Sequence, residues 1–159
     1  MSTERIPMSK EGYEKLKAQL DKMLHEDMPR IAEHIAHARG FGDLSENAEY
    51  EAAREEQGML QARINDLQDK LARAYIVDRS TLATDRVVFG AKVTVIDLSD
   101  ESEEDFTLVG PGEEDYDNNK ILSTSPIGRS LLGKQVGEIA EVPIPRGTLR
   151  LKVAKIAFE

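Results

Sequence analysis

The chain has 159 residues, no cysteine and a formal net charge of -9, from 30 acidic and 21 basic side chains. That length allows one ordinary domain or two small ones, and the absence of cysteine excludes disulfides and thiolate metal sites. The acidic balance argues against a free-standing nucleic-acid binder, which needs clustered Lys and Arg, but not against contact with nucleic acid that a larger basic partner already holds. Residues 1–79 carry 12 basic and 16 acidic side chains and residues 80–159 carry 9 and 14, so charge does not divide the chain. The start, Met1-Ser2-Thr3-Glu4-Arg5, leads into no apolar run, and no stretch approaches the roughly 20 apolar residues of a membrane span. A soluble cytoplasmic protein without membrane contact is the expectation.

Hydrophobic period does divide it. Ser9 is placed to cap a first helix. Apolar residues then recur at Tyr13, Leu16, Leu20, Leu24, Met28, Ile31, Ile35 and Ala38, in steps of 3 or 4 that define one helix face. Three successive steps of 4 loosen a strict heptad, as a stutter does. Pro29 predicts a bend or break there, without ending the arm, because the pattern resumes in phase. Gly40 and Gly42 stop the helix. A second stripe reads Tyr50, Ala53, Gln57, Leu60, Ile64, Leu67, Leu71 and Ala74, a heptad with one polar break at Gln57. Two such stripes joined by a short Gly-containing loop describe an antiparallel coiled-coil hairpin. Arms of about 30 residues are roughly 45 Å long, a form suited to reach.

From about Arg86 the period becomes 2. Val87–Phe89, Lys92–Ile96, Phe106–Val109, Ile121–Ser123, Glu138–Val142 and Thr148–Ile156 read as strands. One short helix interrupts them, with Ser125 as N-cap, Pro126 at its first position and Gly133 just past its end. The expected fold is α+β: a coiled-coil hairpin over residues 1–78 and a compact antiparallel-sheet domain with one short helix over 79–159, joined near Val77–Asp85.

Asp43 and Glu46 stand three apart at the start of the second helix. As N-cap and third helical residue they form a capping box, and both acids suit the positive helix end. Two carboxylates at the end of a rod also suit a hard cation such as Mg²⁺, which keeps several waters and takes only one or two protein carboxylates. Alone they would bind it weakly; a partner supplying further ligands would make a phosphoryl-transfer site. The two readings are compatible.

Gly42-Asp43-Leu44-Ser45-Glu46-Asn47-Ala48-Glu49-Tyr50, followed by Ala52-Ala53-Arg54-Glu55-Glu56-Gln57-Gly58, resembles the tip signature of the bacterial Gre transcript-cleavage factors. Ser125-Pro126-Ile127-Gly128-Arg129-Ser130-Leu131-Leu132-Gly133 is similar to their C-terminal motif, and Ile6-Pro7-Met8 also fits. The likeness runs colinearly over essentially the whole chain, and the acidic balance fits the more acidic branch of the family. It implies a factor that binds bacterial RNA polymerase through an FKBP-like C-terminal domain and inserts its coil into the secondary channel. There the tip stabilises a second catalytic Mg²⁺ and a water, and the polymerase hydrolyses the 3′ end of backtracked RNA. Carried over, Asp43 and Glu46 are the metal pair lent to the polymerase active site. The chain is then a cofactor rather than an enzyme, holds Mg²⁺ only jointly with the polymerase, and has no small-molecule substrate. The resemblance also suggests contact of Arg39, Arg54 and Arg63 with the nascent RNA, the alternative being ordinary solvated helix charge, with Arg54 paired to Glu51 or Glu55. Tyr50 reads as core at the hairpin end or as a neighbour of the tip loop and the RNA end, and Asn47 as an orienter of the loop. Ser125, Pro126 and Ile127 are implied to dock on the polymerase rim helices.

His34 and His37 stand three apart on a helix without a convincing third ligand, so exposed histidines are expected. The acid runs 97–105 and 113–117 lack the ligand spacing and central Gly of a calcium loop and read as solvated turns. Two other functions compete. An inhibitor of the same channel would need no intact Asp43/Glu46 pair. A peptidyl-prolyl isomerase rests on fold alone, in a half poor in aromatics to line a proline pocket.

Overall fold

The computed structural model describes residues 4–40, 44–78 and 82–158, with only the backbone of 44–47. The chain divides into two compact units, one built on Glu14–Ala74, the other on Arg5–Tyr13 together with Tyr75–Glu159. The dividing line at the N-terminal side therefore falls inside the first helix.

The first unit is helical. Helix α1 (Lys10–Lys22) runs into a π-helical turn (Met23–Asp27), which runs into α2 (Met28–Arg39). Helix α3 spans Leu44–Arg73, 30 residues. The expected disturbance at Pro29 takes the form of that π turn, closed by the Met28 N–H on the Met23 carbonyl. Pro29 has no N–H and its ring crowds the carbonyl four residues back, and the wider turn before it relieves both. The extra residue also shifts the phase of the apolar face. Met23 packs on the core of the hairpin while Leu24, expected on the stripe, is 36% exposed. Beyond the turn the stripe returns: Ile31 and Ile35 of α2 are buried in one cluster with Ala53, Leu60 and Ile64 of α3, and Ala38 is buried as well. Gln57, the polar break in the heptad, is half-buried.

The second unit is mainly sheet. Strand β1 (Ile6–Met8) pairs with β2 (Ala74–Ile76), a ribbon that three-residue segments do not announce in sequence. The Val77 N–H continues it, bonding the Met8 carbonyl at 2.9 Å. Gly110 lets β1 lie close, since a Cβ there would stand 2.6 Å from the Pro7 carbonyl oxygen. A five-stranded sheet follows from β3 (Lys92–Asp97), β4 (Glu103–Val109), β5 (Lys120–Leu122), β6 (Ile139–Ile144) and β7 (Gly147–Ala157), ordered β5-β4-β3-β7-β6. Its pairs are antiparallel except β4 with β5. Val93, Val95, Leu108, Val142 and Val153 alternate inward along the strands and meet Leu131 of the short helix α4 (Pro126–Leu131).

One expected strand is absent. Val87–Phe89 is irregular, because its backbone pairs with the end of the α4 segment and not with the sheet. The Val87 N–H bonds the Lys134 carbonyl at 2.8 Å and the Val87 carbonyl accepts from Gly133 at 2.8 Å. Val87 and Phe89 are nevertheless buried, so alternation recorded burial and not pairing. The first acid run is a turn and a strand start. The Asp97 carboxylate accepts from the Ser99 N–H and hydroxyl, Asp100 does the same for Ser102, and Glu103–Asp105 opens β4.

Candidate functional site

The expected site lies where α2 ends and α3 begins. Helix α2 closes at Arg39 with Gly40 as its C-cap, at φ -70°, so the glycine does not adopt the left-handed conformation. Gly42 and Asp43 lie outside the described residues. Helix α3 starts at Leu44, which makes Glu46 its third residue and Asn47 its fourth; the side chains of both are outside the described set. The expected capping box over Asp43–Glu46 therefore lies outside the described residues.

One helical turn further on, the side chains are described. Arg39 Nη2 donates to the Tyr50 hydroxyl at 3.4 Å, and the guanidinium carbon stands 5.5 Å from the ring centroid. Both geometries fit a cation engaging one aromatic ring by its face and its oxygen. Tyr50 is half-buried and packs on the hairpin core. Its phenol is held below the usual value of 10.0, chiefly by the Arg39 hydrogen bond and charge, with a further contribution from Arg54. The structure therefore brings Arg39, Tyr50 and Arg54 together. Arg63 is exposed on α3, two and a half turns beyond Arg54. Among the described residues Arg54 forms no ion pair with Glu51 or Glu55.

In α4, Ser125 Oγ accepts from the Gly128 N–H at 3.1 Å, and Pro126 occupies the first turn. The Gly133 φ of +83° ends the segment as its sequence position predicts. Pro126 is exposed. Ile127 is half-buried and packs on the sheet core, so it is not a freely presented contact. Gly128 has a second reason to be glycine: a Cβ would stand 2.4 Å from the Leu122 carbonyl oxygen.

His34 and His37 are exposed, and among the described residues no group of three or more His, Asp or Glu is placed to hold a metal ion. No helix among them is long and apolar enough to cross a membrane. A groove of about 680 Å³ between the 97–100 turn and the β6–β7 hairpin touches none of the expected site residues. Two contacts were not legible in sequence. One is the Arg39–Tyr50 pair, signalled only by an Arg at a helix end and a Tyr on the seam. The other joins Ser9 to Glu113, 104 residues away, and carries no local signal.

The described residues thus form a two-helix hairpin in a chain that also carries a small sheet unit. Residues 6–76 match the family described as transcription elongation factor, N-terminal, and residues 82–158 the family described as transcription elongation factor, GreA/GreB, C-term. The chain belongs to the GreA/GreB family of transcription elongation factors. It is 52% identical over 157 residues to transcription elongation factor GreA of Thermodesulfovibrio yellowstonii, covering 99% of each chain. It is 50% identical over 155 residues to GreA of Rhodopseudomonas palustris strain TIE-1, covering 98% of each. Among solved structures, the GreA factor homolog 1 protein of Thermus thermophilus aligns at 27% identity and a TM-score of 0.47, over 96% of this chain and 99% of that one.

Proposed function

We propose that this chain stimulates the Mg²⁺-dependent cleavage of backtracked RNA 3′ ends by bacterial RNA polymerase, in the cytoplasm, and so rescues arrested elongation complexes. The hairpin enters the secondary channel, and the surface around Ser125, Pro126 and Ile127 docks outside it. The observation that supports the reading is the start of α3 at Leu44, which makes Glu46, three residues after Asp43 in sequence, part of the first turn of the second helix of a two-helix hairpin.

Asp43 and Glu46 are hard oxygen donors of the type Mg²⁺ prefers, and two carboxylates form a partial shell that leaves room for a partner's ligands. When bound, the ion supplies charge stabilisation to the oxyanions of phosphoryl transfer. The positive end of α3 works against a cation there; both carboxylates are needed to reverse the local sign. The polymerase owns the remaining ligands and the substrate, so the chain lends charge and does not catalyse alone. Arg39 and Arg54, close to Tyr50, would supply cations to phosphates of the extruded RNA.

The test uses a stalled, backtracked elongation complex. Adding the protein with Mg²⁺ releases short 3′ RNA fragments. Asp43→Ala and Glu46→Ala abolish release yet still compete with the unmodified protein for polymerase. Normal cleavage by both variants overturns the reading, and competition without fragment release by the unmodified protein makes it a channel inhibitor.

A further inference from the structure

We infer that Tyr50 is a positioning residue: clamped to Arg39, it ties the end of α2 to the first turns of α3 and so holds the segment that carries Asp43 and Glu46. This rests on the cleavage reading above for its consequence, though not for its structural part.

Among the described residues, the last fully buried ones before the loop are Ala38 of α2 and Ala53 of α3, at 2% and 1% exposure. Alanines let two helices approach but bury little surface, so they grip weakly. Helix ends fray where contacts are few, and between this pair and the loop α2 contributes only Arg39. Its guanidinium reaches across to the face and the hydroxyl of Tyr50, eleven residues on. Residues 40–49, which include both tip carboxylates, are the chain between the two clamped positions. A ring held this way also packs on the hairpin core, so one side chain joins the core to the cross-link. Misplacement of a reacting group by about 1 Å costs on the order of 100-fold in rate, which makes the clamp matter to a site assembled from two proteins.

The experiment has two readouts. In the free protein, hydrogen exchange of the amides in residues 44–50 accelerates at least about tenfold in Tyr50→Ala, and less in Tyr50→Phe, which keeps the ring face over Arg39. In the backtracked complex, Tyr50→Ala lowers the maximal cleavage rate by roughly 10- to 100-fold at saturating factor. Its half-saturating concentration moves by less than about threefold, since the docking surface is untouched. Tyr50→Phe restores most of the rate, and Arg39→Ala combined with Tyr50→Ala is no worse than the more damaging single change. Unchanged exchange in Tyr50→Ala overturns the clamp. So do strictly additive rate effects, which would assign the two side chains to separate RNA contacts. Normal cleavage by Asp43→Ala with altered exchange in Tyr50→Ala would instead sink the functional reading and leave the clamp standing.

Discussion

The Ser9 hydroxyl donates to the Glu113 carboxylate while its oxygen accepts from the Gly12 N–H at 3.0 Å. One buried hydroxyl thereby caps α1 and ties its first turn to a loop of the sheet unit. Ser9→Ala removes both bonds and leaves the Gly12 N–H unsatisfied. A loss of about 1–2 kcal/mol is expected, read as a lowered thermal midpoint. A variant as stable as the parent would show that water replaces the cap.

Gly58 and Gly128 give opposite predictions for the same substitution. Gly58 lies within α3 and nothing stands within 4 Å of a Cβ built there. Gly58→Ala should raise stability by about 0.5–1 kcal/mol, since alanine loses less backbone freedom in a helix. Gly128→Ala drives a Cβ into the backbone of Leu122 and Ser123 and should cost about 1–3 kcal/mol. Urea titration of both variants decides the matter.

Docking is tested at Pro126 and not at Ile127. Ile127→Asp places a charge against the sheet core and should cost roughly 1–3 kcal/mol, which confounds any binding measurement. Pro126→Glu changes an exposed first-turn position where an acid is compatible with the helix start. Its stability should stay within about 0.5 kcal/mol while polymerase affinity falls at least about tenfold, as for a central contact. Unaltered affinity would remove this surface from the interface.

Two groups carry pH dependence with a defined sign. Hydrogen bonds from the Ser102 hydroxyl and N–H hold Asp100 below its usual 3.8. Its contribution to stability is therefore fully present above pH 3.8 and is lost as pH falls through the lower folded value. Tyr50 is likewise depressed, from 10.0, chiefly by Arg39. The folded state then binds fewer protons than the unfolded one between the lowered value and 10.0, and stability rises with pH across that window. NMR titration of the tyrosine rings should show Tyr50 ionising below 10.0, and Arg39→Ala should return it toward that value.

The sequence by itself determined the helix faces, the change of period near residue 80 and the capped α4. These are local: a 3.6-residue or 2-residue repeat and a cap are set by neighbours in the chain. Tertiary structure decided the rest. Whether Val87–Phe89 is a strand depended on a backbone partner more than forty residues away, in the turn after α4. Which residue of the first stripe faces out depended on how the helix accommodated Pro29, and Leu24 lost its place to Met23. The resemblance offered Ile127 as a docking residue, and packing sets it partly against the sheet core. The Ser9–Glu113 and Arg39–Tyr50 pairs arise only where separate elements meet. Periodicity records which face is apolar; it is blind to which distant polar group will stand opposite, because that is fixed by the docking of whole elements.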